Sequence, residues 1–428
     1  MGAAGSTLSP DKRSALSEET RAALEALPPK AKREITTLAE MREIITPSTS
    51  RSPSPQSRSP GMERRSWKER FRMSVSPEMG VNRRKETLPF PHEYVGTFSC
   101  HGVEPCPPFG EVCAKVNQDR GCVVYPYGPN SSEYEQALFC VYDGHGALGH
   151  RVSQFAMIKL QEKLEAHPTL YSDPPTALKE TFVAVDEELK LDRKVDAELS
   201  GTSATVILYR SPVSDPTKVE MWSACCGDSR AVLCEKAGAE AESALKGATA
   251  KDLFASLTAK DITEDQKPDL PAEAARIRQS GGFVSPPPDD GFGGPARVWM
   301  DADFTKVGLA MARSIGDHRV ATVGVIAEPV VEAHTLTLPA DDESDGSYFL
   351  VIASDGVWEF IESVSACALV KKFLLAPDQP QPDATLAVSR LIETAAAKWN
   401  QEMGDYRDDI TAIVVRMRGL FEKGNKGA

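Results

Sequence analysis

Three apolar runs in this chain stop or start at carboxylates. Residues 137–142 (Ala-Leu-Phe-Cys-Val-Tyr) run into Asp143-Gly144-His145-Gly146, and residues 348–353 lead through Ser354 into Asp355-Gly356-Val357-Trp358-Glu359. In the third, Arg407-Asp408-Asp409 opens the alternating stretch 410–415. Apolar runs of this length bounded by turn residues read as buried strands. Further strands are predicted at 205–209, 219–225 and 231–234. Leu178, Phe182, Val185 and Leu189 share one face at helical spacing, predicting an amphipathic helix over 176–191. Helices are also predicted over 154–166, 363–375 and 385–400. Strands and helices come in runs rather than in strict βαβ alternation, so the expected class is α+β with antiparallel layers. The Ala-rich stretch 236–255 reads as a surface insertion, and the Gly/Pro-rich stretch 281–295 as a long loop.

An Asp-Gly after a strand is, taken alone, most often a turn. Three carboxylates at strand termini far apart in sequence suit a second reading, a site for hard divalent cations, which prefer oxygen ligands and keep several waters. Glycine on both sides of His145 removes the Cβ bulk that would keep a metal or phosphate from the backbone.

The 428 residues, 41% of them hydrophobic, suffice for one large core or two smaller ones. No run is long enough to span a bilayer, and no secretory signal pattern opens the chain. The nine cysteines form no CxxC pair, which points to reduced thiols in an intracellular protein. Cys100, Cys106, Cys113 and Cys122, with His101 beside them, match no metal-ligand spacing. The net charge of −13 is uneven: residues 1–90 carry about +6 and the remainder about −19. An acidic body argues against nucleic acid as the substrate.

Residues 1–90 read as a disordered, basic extension, with Ser/Pro/Arg low complexity over 46–60. Met1-Gly2-Ala3-Ala4-Gly5-Ser6 fits the N-myristoylation pattern, with Gly2 as acceptor. One acyl chain binds membranes marginally, and the basic residues would supply the second, electrostatic signal. The expected location is cytoplasmic, peripheral on membranes. A domain is expected over 91–420, with a short flexible tail at 421–428.

Further blocks complete the pattern: Gly201-Thr202-Ser203-Ala204-Thr205, Cys226-Gly227-Asp228-Ser229-Arg230, Glu273-Ala274-Ala275-Arg276-Ile277, Gly308 through Asp317, and Gly324-Val325-Ile326-Ala327-Glu328-Pro329. With the three strand ends, in this order over 96–416, the chain resembles the metal-dependent serine/threonine protein phosphatases of the PP2C (PPM) family. The resemblance implies two stacked antiparallel β-sheets flanked by helices. It implies a centre of two Mg2+ or Mn2+ ions, with a third, weaker ion as a further option, and phosphoprotein substrates for a monomeric enzyme. Carried over, Asp143 would bridge the metals, the Gly144 carbonyl would bind one, and Asp355 and Asp408 would complete the other. Asp228 would help hold the third ion. His145 would give a proton to the departing seryl or threonyl oxygen. A water between two divalent cations deprotonates near neutral pH, so no nucleophilic Cys or Ser is required.

One segment departs from the family pattern. Gln118 stands where a metal-binding Glu is expected, and the phosphate-docking Arg has only Lys115 as its nearest basic counterpart. Asp119 is then expected to anchor the second metal. The same departure supports an alternative, a pseudophosphatase that binds phosphoproteins without turnover. His92, His101, His150, His167, His318 and His334 read as solvated or structural, Arg313 and Asp317 as one buried charged network, and Trp358 as core.

Overall fold

The computed structural model describes residues 69–73, 88–106, 111–128, 131–236, 257–288, 294–339, 348–374 and 381–421. Gly2, the low-complexity segment, most of the predicted insertion and the tail beyond Phe421 lie outside them.

Two antiparallel sheets dominate. The first runs in the order β1 (Glu69–Met73), β5 (Arg120–Tyr125), β6 (Tyr134–Tyr142), β9 (Ala204–Pro212), β10 (Lys218–Cys226) and β16 (Val330–Thr337). The second runs β12 (Leu257–Asp261), β11 (Arg230–Lys236), β17 (Phe349–Ala353), β18 (Ile410–Arg416) and β2 (Val95–Cys100). Alternation along each strand explains why its sequence is apolar throughout. On β6, Phe139 and Val141 join Ile207, Leu350, Ile352 and Ile413 in a core shared by the two sheets. Their neighbours Leu138, Cys140 and Tyr142 pack instead with Val152, Met157, Leu160 and Phe182 of helices α1 (Gly149–Glu165) and α2 (Pro174–Leu191). On the far side, Phe349, Val351 and Val414 pack with Val370, Leu391 and Trp399 of α6 (Ser363–Leu374) and α7 (Ala384–Met403). Each central strand is buried on both faces, and the layers are helix, sheet, sheet, helix.

α2 begins at Pro174, two residues before the periodicity predicts, because Asp173 accepts the Thr176 N–H at 3.2 Å and proline suits the first turn. The stretch expected to be a long loop contributes β13 (Phe283–Ser285), which pairs with β14 (Arg297–Trp299). With α3 (Pro271–Gln279) this hairpin supplies Ile277 and Val298 to a separate small cluster with Met311 and Val323. β1 lies within the segment assigned by composition to the extension, and its backbone pairs with β5. The expectation of reduced cysteines is corrected at one pair. Cys106 and Cys113 are joined by a disulfide across the hairpin of β3 (Val103–Cys106) and β4 (Glu111–Ala114), and the other seven cysteines are free.

Candidate metal centre

Sheet register alone collects the carboxylates. β5 pairs with β6 so that Arg120 faces Tyr142, which puts Asp119 beside Asp143 at one end of the first sheet. β17 pairs with β18 so that Ala353 faces Ala412, and the chain leaves that pairing at the same end as Asp355 on one side and Asp408-Asp409 on the other. Asp228 occupies the turn between β10 and β11. Asp355 opens the single-turn helix α5 (Asp355–Trp358), beneath which Trp358 packs as core and donates its Nε1–H to the Ala353 carbonyl at 2.9 Å. Gly144 and His145 lie on β7 (Gly144–Gly146), in a small sheet with β8 (Ser200–Thr202) and β15 (Ile315–Gly316).

Asp119, Asp355 and Asp408 each act electrostatically on Asp143, and Asp408 also acts on Asp119. Burial is the main reason the Asp143 carboxyl sits well above the usual carboxylate range, and Asp119, Asp355 and Asp408 push it further. Burial likewise lifts Asp355 to about 7, with Asp228 and Asp408 adding to the effect. Asp143 and Asp355 lie close enough for each to alter the other's proton affinity. Asp119 is 1% exposed and also raised, through burial and then Asp409. Its Oδ2 accepts from Ser354 Oγ at 2.8 Å, while its Oδ1 is buried with no hydrogen-bond partner. Asp228 has the same split: Oδ2 is 2.6 Å from Lys267 Nζ, and Oδ1 is buried without a partner.

His145 Nε2 lies 2.6 Å from Asp317 Oδ2, an oxygen that also accepts from Ser314 Oγ at 2.8 Å. Burial alone would lower the imidazole pKa, but the Asp317 carboxylate outweighs it and raises the value above the ordinary one. Nδ1 is buried and unpartnered. Arg313, grouped with Asp317 in the sequence reading, belongs to a different network. Its guanidinium pairs with Glu273 at 2.6 Å and donates to the Glu328 carbonyl at 2.8 Å.

The loop before β5 is tied down residue by residue. Asp409 accepts the N–H groups of Gly102 and, at 2.7 Å, of Gln118. Gln118 Nε2 donates to the Gly146 carbonyl at 2.7 Å, tying this loop to the strand that carries His145. Lys115 Nζ reaches Asp408 Oδ1 at 2.7 Å and sits over the Tyr406 ring. Sequence reasoning missed Ser354, Lys267 and the bracing role of Asp409. Only the Asp408-Asp409 doublet carried a signal in the sequence, since Lys267 lies in an aperiodic loop.

A family model for protein phosphatase 2C matches residues 113–403. The chain is 31% identical over 322 residues to "Probable protein phosphatase 2C 35" of Arabidopsis thaliana, covering 72% of this chain and 80% of that protein. The chain belongs to the protein phosphatase 2C family. It is 30% identical over 333 residues to "Probable protein phosphatase 2C 48" of Oryza sativa subsp. japonica, covering 71% of this chain and 82% of that one. Its fold matches a crystal structure of serine-threonine phosphatase 2C from Toxoplasma gondii with a TM-score of 0.55, at 18% identity, over 75% of this chain and 93% of that one. The protein is thus an enzyme of the serine/threonine protein phosphatase class.

Protein phosphatases 2C depend on Mg2+ or Mn2+, and the donor set here suits such ions: aspartate oxygens, two of them buried without partners, in carboxylates that repel one another. Among the described residues, no three His, Cys, Asp or Glu side chains stand as a ready-made coordinating group. Lys115 and Lys267 hold the two outer carboxylates instead. Among the described residues no helix is long and apolar enough to cross a membrane.

Proposed function

We propose that this phosphatase hydrolyses phosphoserine and phosphothreonine in proteins at the aspartate cluster, with two Mg2+ or Mn2+ ions held by Asp119, Asp143, the Gly144 carbonyl, Asp355 and Asp408. The observation that carries the reading is the convergence of Asp119, Asp143 and Asp355, each raised above the ordinary carboxylate range, beside a histidine with a buried, unpartnered Nδ1. Divalent ions held by these residues would offset charge on the phosphoryl oxygens and lower the pKa of a bound water, supplying hydroxide as the nucleophile. Asp317 fixes the ring of His145 through Nε2 and favours its protonated form. The Nδ1 proton is then the one available to the departing alkoxide, a leaving group that needs it. Lys115 adds positive charge on the side of Asp408, where it would meet a phosphoryl oxygen. Ser314 and Ser200 keep the Asp317 carboxylate and backbone in place while the proton moves.

The test is hydrolysis of a phosphoserine peptide by the full chain in Mn2+. Activity lost in Asp143→Ala and Asp355→Ala supports the reading, and activity unchanged in either sinks it. A second reading, the pseudophosphatase, draws on the neutral Gln118 amide spent on Gly146 and on Lys115 bound to Asp408. Turnover of the peptide that both substitutions abolish excludes it. For Gly2, we propose acylation that places the protein on membranes, and an unchanged membrane fraction in Gly2→Ala would remove that claim.

A further inference from the structure

Lys267 is held in place with unusual firmness for a lysine in a loop. Its neighbour Gln266 is 1% exposed and exchanges two hydrogen bonds with Gly227, the residue before Asp228. The Gln266 N–H donates to the Gly227 carbonyl at 2.9 Å, and the Gly227 N–H donates to Gln266 Oε1 at 2.6 Å. The Gln266 carbonyl accepts a third bond, from the Ala312 N–H at 2.7 Å. The loop is therefore locked to the very turn that presents Asp228, and Lys267 follows within one residue.

From there its ammonium reaches Asp228 Oδ2 at 2.6 Å, with the lysine side chain 29% exposed and the aspartate 1%. The ammonium also acts on Asp355, opposing the rise that Asp228 imposes on that carboxyl. Asp228 Oδ1 remains buried and unpartnered on the other side of the same carboxylate. A lone buried carboxylate of this kind is where a further cation would be drawn, because an uncompensated charge is costly away from water. Here the chain brings its own, a compact point charge on a flexible stem.

We propose that Lys267 Nζ is a tethered cation that takes the place of an Asp228-bound third divalent ion, so that this centre loads its metals without using Asp228 as a ligand. The inference rests on the two-ion reading above and deepens it. An ammonium bound to Asp228 neutralises it at any metal concentration, whereas a weak third ion would do so only at high concentration.

Mn2+ titration of the full chain by calorimetry, with free Mn2+ followed by electron paramagnetic resonance, tests this without using activity. In the otherwise unaltered protein, Asp228→Asn should leave the number of bound Mn2+ ions unchanged. Lys267→Met, which keeps the stem and removes the charge, should gain one weak Mn2+ equivalent. That equivalent should vanish again when Asp228→Asn is added, and Lys267→Arg should bind as the unaltered protein does. Loss of a bound Mn2+ in Asp228→Asn alone, or no gain in a folded Lys267→Met, overturns the proposal. The Asp228→Asn arm decides the matter even if Lys267→Met does not fold. An unaltered protein that binds no Mn2+ at all would defeat the two-ion reading instead. The gain in Lys267→Met would still report on Lys267 in that case.

Discussion

Gly201→Ala should disable His145 while leaving its own side chain unaltered. Gly201 lies on β8 opposite His145 on β7 and Gly316 on β15. A Cβ at this position would sit 2.7 Å from His145 Nε2 and 2.7 Å from Asp317 Cγ, and closer still to Asp317 Oδ2. Carbon is comfortable at about 3.5 Å from such atoms, so the His145 ring must retreat by about 0.8 Å and Asp317 Oδ2 by more than that. Asp317 has little room to do so. Its backbone is left-handed at φ 49°, its N–H is bonded to Ser200, and its carboxylate is bonded to Ser314. If the ring takes the displacement, the 2.6 Å contact opens to about 3.4 Å, outside the useful hydrogen-bond range.

Overpacking of this kind costs about 1–3 kcal/mol, offset by about 0.4–1 kcal/mol from the stiffer unfolded chain, since Gly201 needs no positive φ. The domain should therefore remain folded with a slightly lower Tm. Losing a positioned general acid costs about 10²–10⁴ in rate. The assay compares kcat on a phosphoserine peptide with kcat on p-nitrophenyl phosphate, whose leaving group needs no proton. A large loss on the first and a small one on the second is expected. Equal losses on both substrates, or none on the peptide in a folded protein, would refute the assignment of His145 as proton donor.

Ser354→Ala removes the hydroxyl that donates to Asp119 Oδ2 at 2.8 Å and accepts the Thr411 N–H at 3.0 Å. The Mn2+ concentration for half-maximal activity should rise about 10–100-fold with kcat at saturation nearly unchanged, read from a metal titration of initial rates. Glu273 is 4% exposed and held below the ordinary glutamate pKa, by its bonds to Arg313 and Arg276 against the opposing effect of burial. The unfolded chain then binds its proton first, so this contribution is complete above about pH 4.5 and is lost as pH falls through the lower folded value. Urea midpoints from pH 3 to 6 should show an acid limb that Glu273→Gln flattens. Reducing Cys106–Cys113, seven residues apart in sequence, should release about 2–3 kcal/mol of local constraint in the β3–β4 hairpin. Hydrogen exchange should quicken at Val103 and Ala114 in dithiothreitol, and equal rates in both states would show that the clip holds nothing.

The parts of this molecule legible beforehand are those where one local pattern suffices. β6 and β17 could be read because burial on both faces makes them continuously apolar, and α2 because its apolar stripe repeats at Leu178, Phe182, Val185 and Leu189. Asp143 and Asp355 stood out because each ends such a strand. β16 escaped because it is an edge strand with the burial pattern of a mostly exposed one. The hairpin of β13 and β14 was hidden by its glycines and prolines, whose turn-forming role looks the same whether or not strands flank them. Lys267, Ser354 and the bond from Lys115 to Asp408 could not be read from local pattern. Each depends on a partner between 39 and 293 positions away, brought close only by the tertiary fold.

That distribution of partners explains how the fold tolerates so many carboxylates in one place. Asp409 spends both oxygens on backbone N–H groups, so it braces a loop. Asp408 has Lys115 on one flank of the cluster, and Asp228 has Lys267 on the other. The three carboxylates between them, Asp119, Asp143 and Asp355, have no ammonium or guanidinium in hydrogen-bond contact among the described residues, and they are the three whose pKa values rise furthest from the ordinary range. A protein built only for stability would pair or replace them, since neutral or apolar side chains in such positions are commonly at least as stable. Their retention at the ends of strands buried on both faces makes sense if positive charge arrives with the ions. The two lysines then set the outer limits of the centre, and the unpaired aspartates between them define its middle.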